Sequence, residues 1–274
     1  TQAARAIARG WRAARPKDKL TLLPISDGGD GFGPLLAKLT RAKSRITTSC
    51  DAAHNSMRAN WWFQEGTGTA IIESAKIIGL AMLQKEERNP MRLDTKGLGK
   101  FLDRCSRPGR SSLNTAKQVI IGIGGSATND GGFGMAVELG WRFLDADNKE
   151  IPKWTDLFRL KSILPPDPQN QRACQFEKVT VAVDVQNPLL GRNGCTRVYG
   201  PQKGLRARDV TRAEAALSRL AEVWEVQTGE DTASLPGAGA AGGLGFGLHC
   251  FAGAEIQLGF KIFAEAAGLA GLIK

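Results

Sequence analysis

No run of about 18 apolar residues occurs in this chain, so the sequence predicts no membrane span. Even its least polar region, residues 235–260, is dominated by glycine and alanine. Histidine is scarce: His54 and His249 lie far apart, each with a single cysteine nearby (Cys50 and Cys250) and neither with a second histidine. A zinc site is therefore not expected, and both read as structural. The five cysteines, Cys50, Cys105, Cys174, Cys195 and Cys250, are odd in number, far apart and form no Cys-x-x-Cys pair. That usage fits a reducing compartment and predicts a cytoplasmic location. A formal charge of +10 comes without any block of basic residues interleaved with aromatics. Arginines such as Arg5, Arg41, Arg107, Arg159 and Arg212 are scattered instead, so small anionic ligands are expected and nucleic acid is not. The phosphate-binding pattern Gly-x-x-x-x-Gly-Lys-Ser/Thr is also missing.

With 274 residues and 42% apolar composition the chain can bury a sizeable core, as one large domain or two smaller ones. Its most informative segment is Gly122-Ile-Gly-Gly-Ser-Ala-Thr-Asn-Asp-Gly-Gly-Phe-Gly134, directly after the apolar run 118–123. Glycines at this density let a backbone turn sharply and bring its N–H groups close to an oxyanion. Ser126 and Thr128 add hydroxyls, while Asn129 and Asp130 add oxygens of the kind that hold Mg²⁺. Metal-assisted phosphoryl chemistry follows as one reading, and an ordinary Asn-Asp-Gly turn as the other. Gly122, Gly124 and Ala127 also fit the dinucleotide fingerprint Gly-x-Gly-x-x-Gly/Ala, which leaves an NAD-dependent oxidoreductase as a further reading.

Along the chain, Ala4, Ile7, Ala8 and Trp11 share a helical face within residues 1–17, and Pro16 ends that segment before a strand expected over 19–25. The turn Ser26-Asp-Gly-Gly-Asp-Gly31 and a helix over 34–41 complete an αβα start, which indicates α/β architecture. Open α/β sheets bind ligands at strand carboxyl ends, making Asp27 and Asp30 candidate polar ligands. Short strands are predicted over 45–51, 60–65 and 69–73, the last two joined by a turn at Gly66-Thr-Gly68. Trp61, Trp62 and Phe63 inside them are assigned to packing or subunit contact. Helices are expected over 95–105, 132–139, 208–226 and 262–273, a loop over 106–114, and strands over 141–144 and 179–183. The last strand runs into Asp184-Val-Gln-Asn-Pro-Leu-Leu-Gly191, which sets Asp184 and Asn187 at a strand-to-loop junction. Tyr199-Gly-Pro-Gln-Lys-Gly204 adds Lys203, a plausible partner for phosphate. A second glycine-rich stretch, 236–247, suits close packing or anion binding equally.

Taken together and in order, Asp27-Gly-Gly-Asp-Gly31, Asn89-Pro90, Gly122 to Gly132, Asp184 to Gly191, Gly200-Pro-Gln-Lys-Gly204 and Leu235 to Gly243 make the chain resemble the bacterial glycerate kinase family. The resemblance implies two α/β domains, one flavodoxin-like and discontinuous (1–90 plus 262–274) and one inserted with a mixed sheet (91–261). It implies transfer of the ATP γ-phosphoryl group to a hydroxyl of D-glycerate, giving 2-phosphoglycerate, with Mg²⁺ as the metal. Gly124, Gly125, Ser126, Thr128 and Asn129 would then bind ATP, and Lys203 would neutralise its charge. Asp130 and Asp184 would hold Mg²⁺ or accept the hydroxyl proton. Asp27, Asp30, Asn187 and Arg192 would face the substrate, Arg192 pairing with its carboxylate.

The departures from the family pattern are specific. Asp30 stands where Glu is usual, Phe32 where Thr is usual, and Thr95-Lys-Gly-Leu-Gly99 replaces Thr-Tyr-Gly-Thr-Gly. Family members begin with a strand and a Ser-Phe-Lys turn before the position of Thr1, and continue beyond Lys274 into a strand and a Gly-Glu-Gly turn. A truncated relative that keeps fold and ligand binding without turnover is therefore a second expectation.

Overall fold

The computed structural model describes residues 2–23, 25–26, 28–106, 115–167 and 176–272. Its helices are α1 (Gln2–Ala14), α2 (Phe32–Thr40), α3 (Ala75–Ile78), α4 (Lys96–Ser106), α5 (Phe133–Glu138), α6 (Cys195–Tyr199), α7 (Val210–Thr228), α8 (Ala240–Ala252), α9 (Gly259–Ala266) and α10 (Leu269–Leu272). The strands are β1 (Lys43–Cys50), β2 (Ser56–Gln64), β3 (Thr69–Glu73), β4 (Gln118–Gly122), β5 (Arg142–Leu144), β6 (Ser162–Leu164), β7 (Lys178–Val183) and β8 (Glu255–Leu258). Six of these strands form one sheet in the order β1-β2-β3-β4-β7-β8, and β5 pairs with β6 separately. β1, β2 and β3 run antiparallel, whereas β3, β4, β7 and β8 are parallel neighbours. The α/β class expected from the sequence is the class observed.

The parallel centre follows from composition. Thr-Ala-Ile-Ile, Val-Ile-Ile and Val-Thr-Val-Ala-Val are nearly continuous β-branched runs, as strands covered on both faces require. One face carries the larger core, in which Ile72, Val119, Ile121 and Val181 meet α4, α7 and α8. The other carries a smaller cluster of Phe32, Leu36, Ile71, Ala182, Ile262 and Phe263, under α2 and α9. Leu217, Leu220 and Trp224 line the buried stripe of α7; each such side chain contributes roughly 1.5–3 kcal/mol. Trp61 and Phe63 are buried and Trp61 Nε1 donates to Thr47 Oγ1 at 3.0 Å, so this aromatic run packs as expected.

Several expectations are corrected. Among the described residues of 19–25 there is no strand, and Leu22 and Ile25 are 45% and 44% exposed, without the neighbouring strand that would cover them. Of the helical face expected in α1 only Ala8 is buried; Ile7 is 69% exposed, and Trp11 donates to Asp18 instead of joining a core. β8 lay unrecognised, because Glu-Ile-Gln-Leu is too short to announce itself. β3 and β4, which lie on either side of residue 90, are parallel neighbours in the same sheet. The loop expected over 106–114 lies, from 107 on, outside the described residues, as does Cys174. Both histidines make intramolecular bonds: His54 pairs with Asp94 at 2.9 Å and His249 Nδ1 bonds the Ala254 carbonyl at 2.9 Å. Among the described residues no helix is long and apolar enough to cross a membrane.

Candidate active site

Three parallel strands deliver polar groups at their carboxyl ends. β3 ends in Glu73, β4 opens into the glycine-rich turn, and β7 runs into Asp184. Glu73, 1% exposed, accepts the Gly31 and Gly33 amides at 3.1 and 3.0 Å and so caps α2. Its negative charge sits where the helix dipole favours it. Nothing local in the sequence marks this role, because the partners lie some forty residues away. The cap holds the turn before α2 against the turn after β4, where Gly124 N donates to the Gly28 carbonyl at 3.0 Å. A β-carbon on Gly124 would lie 2.7 Å from Gly29 Cα, so only glycine permits that approach.

The strap at residues 78–80 fixes the other side of the turn: Leu80 N donates to the Gly125 carbonyl at 2.9 Å and Ala127 N to the Ile78 carbonyl at 2.8 Å. Between these supports opens a cavity of about 150 Å³, lined by Leu80, Gly124, Gly125, Ser126, Asp184, Val185, Tyr199, Gln202, Lys203 and Ala241. Lys203 is its buried cation. It is 3% exposed, and its Nζ donates to Ser126 Oγ at 2.9 Å and to the Thr128 carbonyl at 2.7 Å. Burial pushes its pKa down to about 8, against the pull of nearby Cys195 and Asp130. The ammonium thus stays mostly protonated at neutral pH, poorly solvated and next to open space. The thiol of Cys195 is itself buried and pushed up to about 12 by desolvation, so it is inert as a nucleophile.

Asp184 is the exposed carboxylate in the same wall. Tyr199 stands beside it, its pKa raised by burial and then by Asp184, and its hydroxyl donates to Asn187 Oδ1 at 2.8 Å. Asn187, expected to face the substrate, is instead a brace: Nδ2 donates to the Asn193 carbonyl at 2.8 Å and the side chain lies off the cavity wall. Tyr199, Gln202 and Ala241 also line the cavity; they lie inside the quoted motifs, but no charge or glycine marks them in the sequence.

Asp130, expected to hold the metal or accept the proton, lies behind the turn. It is fully buried and outside the cavity lining. Its Oδ2 accepts from Thr95 N (2.9 Å), Thr95 Oγ1 (2.8 Å) and Gly134 N (3.0 Å), and its Oδ1 from Gly132 N at 3.3 Å. One carboxylate therefore ties together the starts of α4 and α5. Burial and then Asp94 raise its pKa to about 6, while the Gly134 and Thr95 bonds oppose that rise. Thr128 and Asn129 also turn away from the cavity. Asn129 Nδ2 donates to Thr196 Oγ1 at 3.0 Å, and Thr128 contributes its carbonyl to Lys203. Asp30 is exposed at the rim, its Oδ1 3.8 Å from where a β-carbon of Gly125 would lie. Arg192 is exposed and absent from the lining, and Asp27 lies outside the described residues. The dinucleotide reading needs a helix opening at the turn, yet Gly122 is still in β4 and α5 begins only at Phe133.

A glycine turn, a buried lysine bonded to it and a carboxylate lining the same cavity make a setting for anionic groups. The model of the Glycerate kinase family matches this chain over residues 1–274. The chain belongs to the glycerate kinase family. A glycerate kinase from Halalkalibacterium halodurans is 36% identical over 277 residues, covering 100% of this chain and 70% of that relative. Glycerate 2-kinase from Escherichia coli (strain K12) is 34% identical over 269 residues, with 98% and 69% covered. A solved structure assigned as glycerate kinase 2 from Salmonella typhimurium LT2 superposes with a TM-score of 0.79 at 33% identity, over 97% of this chain and 70% of that one.

Proposed function

We propose that this chain is an ATP-dependent glycerate kinase that phosphorylates the 2-hydroxyl of D-glycerate. The observation that carries the reading is Lys203, a buried ammonium held under the Gly124–Gly125–Ser126 turn and facing the cavity that Asp184 closes. In the reaction the acceptor oxygen bonds to the γ-phosphorus, the bond from that phosphorus to the ADP oxygen breaks, and the hydroxyl proton departs to a base. Such transfers depend on positioning and charge neutralisation more than on covalent help from the protein. Lys203 neutralises the transferring phosphoryl group in a place where little water competes. At about 150 Å³ the cavity is smaller than the roughly 300–1,000 Å³ of typical ligand sites, so it suits a three-carbon acid and a terminal phosphate with the nucleoside outside.

Among the described residues no three His, Cys, Asp or Glu side chains cluster as a metal cage. The single lining carboxylate, Asp184, fits Mg²⁺ carried on the nucleotide, which is ordinarily held by one or two carboxylates plus phosphate oxygens. Asp184 is the lining residue that would hold it, and the ion would neutralise phosphate charge when bound. The same carboxylate is the lining group able to take the hydroxyl proton. The test is ³¹P NMR of wild-type protein with D-glycerate, ATP and Mg²⁺: a growing 2-phosphoglycerate signal is expected. ATP unchanged, or a 3-phosphoglycerate signal, would overturn the reaction or its position respectively.

A further inference from the structure

The second glycine-rich stretch passes through three successive left-handed residues, Ala241 (φ 57°), Gly242 (φ 74°) and Gly243 (φ 84°). The glycines have evident reasons. A β-carbon on Gly242 would overlap the Thr128 carbonyl oxygen, and one on Gly243 would lie 2.7 Å from Leu189 Cδ1. Backbone bonds pin this loop from both sides: Gly239 N donates to the Asn187 carbonyl at 2.9 Å and Gly131 N to the Gly242 carbonyl at 3.1 Å. Ala241 is different. Left-handed backbone disfavours a side chain, glycine would relieve it, and yet alanine stands there. It is also the residue of the three that lines the cavity, together with Asp184 and Lys203. A strained conformation held at a site wall points to a role for the group that causes the strain.

We propose that Ala241 is a specificity-determining residue: its methyl group sets the depth of the cavity and limits the acceptor to a three-carbon hydroxy acid. The inference rests on the glycerate kinase reading above. In a cavity of about 150 Å³, one methyl removed or a few heavy atoms added is a large fraction of the space. Discrimination by one carbon in a well-packed pocket is worth roughly 10–200-fold.

The experiment measures binding of D-glycerate, the four-carbon acid D-erythronate and the two-carbon acid glycolate by calorimetry, in wild type, A241G and A241N, with turnover measured in parallel. A241G is expected to shift the erythronate-to-glycerate affinity ratio at least tenfold toward erythronate, with a melting temperature at or above wild type. A241N, whose side chain tolerates left-handed backbone, is expected to weaken glycerate at least tenfold while glycolate binding is kept. An unchanged ratio in A241G, or equal weakening of both smaller acids in A241N, would overturn the proposal, as would wild type binding none of the three. Glycerate binding without phosphoryl transfer would instead sink the kinase reading and leave the selectivity measurement standing.

Discussion

Asp130 and Asp184 are the same residue type, each following a central strand of the sheet and each flanked by turn residues, yet the protein treats them oppositely. Asp184 is exposed and lines the same cavity as a buried ammonium. Asp130 is sealed away, with four hydrogen bonds from the starts of two helices. A motif thus identifies a segment that matters without saying which of its residues meets the ligand. The glycine-rich turn splits accordingly: Gly124, Gly125 and Ser126 face outward into the cavity, while Thr128, Asn129 and Asp130 hold the turn in place from behind.

The largest effect should come from removing the cation. Lys203→Met is expected to lower kcat/KM in a coupled ADP-release assay by about 10²–10³, the scale for losing one preorganised electrostatic group. A loss under tenfold would remove Lys203 from the reaction. Next is Asp130→Ala, which strips both helix starts of their shared acceptor. A cost of about 3 kcal/mol is expected from a buried charged hydrogen-bond network with two caps. By calorimetry that is a fall in Tm of roughly 6–12 °C; an unchanged Tm would show that the caps carry no stability.

How much of this was legible in advance depended on the range of the signal. β3, β4 and β7 announced themselves as β-branched runs, and the glycine turn, Asp184 and Lys203 stood out as local clusters. The Glu73 cap, the Asp130–Thr95 contact and the bracing of Tyr199 by Asn187 are pairings set by the packing of separate elements, and local spacing does not encode them. The strand expected over 19–25 failed for a related reason. Apolar residues make a strand only where a neighbour covers them, and Leu22 and Ile25 have none among the described residues.

The pH dependence separates site from scaffold further. With the Lys203 pKa lowered to about 8, kcat/KM for ATP is expected to decline above that pH as the amine loses its proton. Stability should move the other way. A lysine whose folded pKa lies below its unfolded value binds fewer protons when folded, so its contribution to stability rises between about pH 8 and 10.5. A pH–rate profile flat to pH 9.5 would contradict the charged-lysine role. The smallest effect is expected at Arg192, exposed and off the cavity: Arg192→Ala should change kcat/KM less than twofold and stability by less than about 0.5 kcal/mol. A tenfold rise in the KM for glycerate would restore it as a substrate ligand.

The most direct test of the division between the two carboxylates is one paired measurement, kcat/KM and Tm for Asp184→Asn beside Asp130→Asn. Asp184→Asn is expected to lose about a hundredfold or more in kcat/KM with its Tm within a degree or two of wild type, and Asp130→Asn to lose mainly Tm. The reverse pattern, activity abolished in a fully stable Asp130→Asn and preserved in Asp184→Asn, would contradict it and move the chemistry to the buried carboxylate.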